Sequence, residues 1–266
     1  MSLVRDEAGK TRPETADTFE MPLLEHLREL RRRVIVVGWA FIVCFAVSFG
    51  FARQLFDWLS APMVEALKAT GRGSLAVTEA TEGFMVQIKV AGIAGVFLAS
   101  PIVAYQIWKF VAPGLYEKER RGVIPLALSS TVLFISGGAF AYYGVFRVGF
   151  PFFLSMNGDN VTAMLSIDSY LTFAITLLAA FGASFQLPVV VYFLARLGLV
   201  NHRDLIGGFR YGIVAIFVVA GLLTPPDMMS QFMMAGPLLA LYGVGIVVAY
   251  FFSTKPVVAI TADTGD

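Results

Sequence analysis

The two most basic stretches of the chain each hold carboxylates. In LLEHLRELRRR (residues 23–33), Glu25 and Glu29 lie among Arg28, Arg31, Arg32 and Arg33. In APGLYEKERR (residues 112–121), Glu117 and Glu119 lie among Lys118, Arg120 and Arg121. A carboxylate matches a guanidinium through paired charged hydrogen bonds. Two readings are open at both places. The acids either form solvated ion pairs, with Glu29 reaching Arg32 or Arg33 at helical spacing, or they wait at the surface for a cationic ligand. Gln186 is a third polar group, set inside an apolar run two residues before Pro188, where an amide needs partners. Lys89 reads as a snorkelling side chain and Asp227, after Thr224-Pro225-Pro226, as a helix N-cap.

The chain has two histidines, His26 and His202, and one cysteine, Cys44. It shows no metal-ligand spacing, no nucleophile elbow and no phosphate loop. The sequence therefore points to no enzyme, cofactor, metal or nucleic-acid partner.

These polar groups hang on an apolar frame. The chain is 57% hydrophobic and 15% charged, with mean hydropathy +0.74. Six apolar stretches cover about Val34–Phe51, Phe84–Val111, Val123–Phe150, Ser169–Leu197, Tyr211–Leu223 and Met228–Phe252. Crossing ~30 Å of hydrocarbon takes roughly 20 residues as a helix. The expectation is an all-α polytopic membrane protein with six helices, the fifth and sixth spans short or irregular. Residues 1–20 and 253–266 read as tails around a membrane domain at 21–252. Basic residues gather on alternate connections, which places both termini in the cytoplasm by the positive-inside rule. Tyr105, Trp108, Tyr142 and Trp58 fall near span ends, as interfacial aromatics do. The first outer loop should start with an interfacial helix, its face made by Leu55, Phe56, Leu59 and Met63, ending near Pro62. Pro101, Pro125, Pro188 and Pro237 should bend their spans.

Five ordered segments carry a family resemblance: HLRELRRR (26–33), SAP (60–62), SPIVAYQIWKFVAPGLYEKERR (100–121), FGASFQLP (181–188) and LLTPPDMMSQ (222–231). Over about residues 21–252 the chain closely resembles the TatC family, multispanning receptor subunits of the twin-arginine protein translocase. The resemblance implies a cupped six-helix bundle in the cytoplasmic (inner) membrane of a prokaryote. It implies binding of the signal peptides of folded precursors, transport powered by the proton-motive force, and hetero-oligomers with small single-span subunits of the TatA/TatB type. It maps the acids that contact the twin arginines onto Glu29 and Glu119, with Arg31, Arg121, Gln186, Pro62 and Asp227 in supporting or polar-contact roles. Family members often carry glutamate where this chain has Gln186. An amide does not titrate, so only a polar contact survives at that position. A small-solute secondary transporter is the alternative. It would show inverted repeats and ionisable groups at mid-membrane, and neither is evident.

Overall fold

The computed structural model describes residues 17–70, 74–77, 81–111, 122–156, 164–223 and 228–253. The tails expected at the two ends lie outside the described residues up to residue 16 and beyond residue 253.

Apolar segments in a bilayer must satisfy their backbone internally, which a helix does. Ten α-helices follow in chain order: α1 (Asp17–Gly50), α2 (Ala52–Thr70), α3 (Glu82–Val111), α4 (Val123–Phe140), α5 (Phe146–Met156), α6 (Ile167–Ser184), α7 (Leu187–Arg196), α8 (His202–Gly207), α9 (Phe209–Leu223) and α10 (Met228–Phe252). A π-helical turn, Ala141–Val145, joins α4 to α5. The all-α class holds. One small addition is a three-residue parallel pair, β1 (Ser74–Ala76) with β2 (Met164–Ser166), in register Ser74 to Met164.

Among the described residues five segments are long and apolar enough to cross a membrane: Glu25–Gly50, Glu82–Val111, Val123–Ser155, Ile167–Arg196 and Gln231–Phe252. The fifth stretch is short, as expected: α9 has 15 residues and rises about 22 Å. The sixth is not short. Its helix α10 runs 25 residues without a break and carries Pro237 inside it.

The core is concentrated at the end of the bundle opposite the arginines. Its cluster joins Leu59, Met63 and Leu67 of α2 with Val90 of α3, Phe146 and Phe150 of α5, Leu171 and Phe181 of α6, and Met234 and Leu238 of α10. Toward the basic end the buried clusters are smaller: Ala104, Trp108, Ala127 and Val189 in one, Val191, Ala195 and Ala249 in another. Helices approach closely where glycine removes a side chain. A Cβ on Gly95 of α3 would sit 3.0 Å from the Phe45 Cα of α1. One on Gly137 of α4 would sit 2.5 Å from the Phe181 carbonyl oxygen of α6.

Two proline expectations are corrected. Pro62 does not end the first outer helix; α2 continues through it to Thr70. Pro62 has no N–H to give the Trp58 carbonyl four residues back. The Tyr142 hydroxyl donates to that carbonyl at 2.6 Å, and the Tyr170 hydroxyl donates to the next one, Leu59, at 2.8 Å. The Trp58 ring stacks on Tyr142 with centroids 4.1 Å apart. Thus α2 is fastened to the third and fourth spans rather than lying free at an interface. Pro125 falls in the first turn of α4, where helical N–H groups lack intrahelical partners anyway, so it bends nothing.

Candidate cation-binding site at the basic end

The amphipathic first turns of α1 run straight into the first span. His26, Glu29 and Arg33 fall three and four residues apart, so they share one face. That face meets the end of α3. The His26 ring stacks on Phe110, centroids 4.3 Å apart and planes at 19°. One turn deeper, Arg33 Nη1 donates to Gln106 Oε1 at 3.4 Å. Arg33 Nη2 donates to Glu29 Oε1 and forms an ion pair with it. The Glu29 side chain is 36% exposed, that of Arg33 only 12%. Glu29 is therefore held from behind and open in front. Arg28, Arg31 and Arg32 point outward, exposed. Lys109 Nζ lies 5.7 Å from the centre of the Tyr105 ring, adding another cation to the same end.

Of the residues singled out from sequence, Glu29 is placed and paired with Arg33. Arg31 is exposed on the same helix end. Glu119, Arg121 and Asp227 lie outside the described residues. Pro62 sits at the opposite end of the bundle, in α2.

Gln186 occupies the break between α6 and α7, with Pro188 opening the next helix. Its Nε2 donates to the Ser130 carbonyl at 2.8 Å. The Ser130 hydroxyl accepts from Trp108 Nε1 at 2.7 Å. One polar chain thus ties spans two, three and four together. Trp108 is buried within it rather than placed in an interfacial belt, and Tyr142 is buried likewise.

Sequence reasoning missed the polar cluster at the far end. Lys89 does not snorkel; its Nζ pairs with Asp168 at 2.6 Å and donates to Thr172 Oγ1 at 2.9 Å. Glu82, 5% exposed, accepts from the Ser166 hydroxyl at 2.8 Å and the Asp168 N–H at 2.7 Å. It thereby caps the start of α6. A carboxylate before an apolar span and a hydroxyl before the fourth were the available signals. Their pairing, 84 residues apart, had none.

Recesses open on the bundle among the described residues. One of about 630 Å³ is walled by apolar residues such as Phe51, Leu55, Trp58, Phe97 and Leu98. Another, about 490 Å³, lies between α4, α7 and α10, with Arg196 as its one charged lining residue. Among the described residues no group of His, Cys, Asp and Glu is arranged to hold a metal ion.

An all-α chain of membrane-length helices with a basic, carboxylate-bearing end defines a multi-pass membrane protein of the transport class. The family model described as Sec-independent protein translocase protein (TatC) matches residues 25–237. The Sec-independent protein translocase protein TatC of Desulforapulum autotrophicum is 43% identical over 235 residues, 88% of this chain and 86% of that protein. The TatC of Carboxydothermus hydrogenoformans is 39% identical over 236 residues, 88% of this chain and 95% of that one. A crystal structure of the twin arginine translocase receptor TatC superposes with TM-score 0.76 at 37% identity, covering 84% of this chain and 97% of that one. The chain belongs to the TatC family of protein translocase components, and it is a transport protein rather than an enzyme.

Proposed function

We propose that the chain is the signal-peptide receptor of a twin-arginine translocase in a prokaryotic cytoplasmic membrane, and that Glu29 and Glu119 receive the two arginines of the signal. The observation that carries this is the half-exposed Glu29 carboxylate, set among cations in the HLRELRRR segment of a TatC-family chain. Both termini then face the cytoplasm, where precursors are made, since the arginine-rich end meets the positive-inside rule. Folded precursors cross at the expense of the proton-motive force. Single-span partner subunits pack along α9 and α10, whose Val214, Val218, Leu222, Phe232 and Val247 are exposed.

The test is photocrosslinking of a twin-arginine signal peptide to the full-length protein in membranes. Losing a partly wet charged contact should cost about 1–3 kcal/mol. Glu119→Lys should abolish the crosslink, and Glu29→Ala should weaken it by about tenfold or more. Crosslinking at the wild-type level in Glu119→Lys would sink the assignment. Cysteines along α9 report in the same membranes whether partner subunits lie there.

A further inference from the structure

The Glu29 carboxylate already has an occupant. Arg33 Nη2 holds its Oε1, but the grip is end-on. The second terminal nitrogen, Nη1, turns to Gln106, and Nε is buried without an acceptor among the described residues. The forked edge of this guanidinium is therefore not applied to the carboxylate.

We infer that Arg33 makes an autoinhibitory contact: it is a tethered guanidinium that an incoming cation must displace from Glu29. This rests on the reading of Glu29 as a ligand group. A tethered competitor acts at an effective concentration of the order of millimolar, so a weak ligand is turned away. A lysine ammonium is a point charge. It brings Glu29 about what Arg33 already gives, and exchange gains little. A ligand guanidinium arriving from the open side offers both carboxylate oxygens a parallel pair of bonds. It wins by the second bond. Displaced Arg33 keeps Gln106 Oε1 as an acceptor. The second bond sets the preference for arginine, and the resident competitor raises by one factor the affinity that any ligand must bring.

The test measures binding of two fluorescent synthetic signal peptides, one with Arg-Arg and one with Lys-Lys, to the full-length detergent-purified protein. Wild type should prefer Arg-Arg. Arg33→Gln should tighten both by the same factor, roughly tenfold, and leave the preference unchanged. Arg33→Met keeps the apolar stem and should give the same result. Unchanged affinity for both peptides in either folded variant overturns the inference. So does loss of Arg-Arg binding in a folded variant, because the guanidinium would then only hold Glu29 in place. Failure of both variants to fold, judged by thermal melting, also overturns it and makes Arg33 a structural tie. Glu29→Ala separates the two claims. Wild-type affinity there removes the role of Glu29 and the competitor with it, whereas Glu29-dependent binding that Arg33→Gln does not tighten removes the competitor alone.

Discussion

The two ends of this bundle are built in opposite ways. At the far end, α2 lies on a continuous core of Leu59, Met63, Phe146, Phe150, Leu171 and Phe181. Carbonyls, a carboxylate and an ammonium there all meet partners on other spans. At the basic end α1 meets α3 through a ring stack and a long hydrogen bond, and Arg28, Arg31 and Arg32 stand exposed. Packing supplies the rigidity at one end so that the other can keep its polar groups available. A charged ligand needs accessible charges, and burying them in paired form would consume what it binds.

This contrast makes graded predictions for thermal melting of the purified protein. Phe181→Ala empties a fully buried position of the far-end core and should cost about 3–5 kcal/mol. A small change would mean that the core collapses easily and the rigid end is not rigid. Gln186→Leu, at the joint between the ends, removes the donor to Ser130 and should cost about 1 kcal/mol or less, the usual size of such bonds in membranes. If export is impaired far beyond that loss while signal binding stays intact, Gln186 serves a later step. His26→Ala, at the basic end, should move stability by no more than about 0.5 kcal/mol while weakening signal-peptide binding, because the stack on Phe110 sets the turn that presents Glu29. A large loss of stability there would erase the distinction between the two ends.

What the sequence made legible follows the same division. The helices were visible because lipid permits little else, and the length of each apolar run carries over to the helix. Glu29 was visible because its segment is local: a heptad of α1 brings His26, Glu29 and Arg33 together without help from the rest of the chain. The partners Gln106 and Phe110 were not, since they come from a helix more than seventy residues away. Lys89 misled because its position near a span end fits snorkelling, and only the fold brings Asp168 to it. Trp108 and Tyr142 misled for the same reason: a span-end aromatic can face headgroups or a neighbouring helix, and local sequence does not say which. Pro62 left a decipherable clue. A proline inside a helix demands a donor for the carbonyl four residues earlier, though nothing local names Tyr142.

That clue bears on how these positions can change over time. Tyr142 has this work to do because Pro62 leaves the Trp58 carbonyl of α2 short of a backbone donor. With Pro62 present, losing the Tyr142 hydroxyl strands a carbonyl. With alanine at 62, the chain supplies its own N–H and the hydroxyl becomes dispensable. The fitness of a phenylalanine at 142 is thus conditional on a residue eighty positions earlier, a form of epistasis confined to the far end. Pro62 and Tyr142 should drift through lineages as a linked pair, each kept in place by the other.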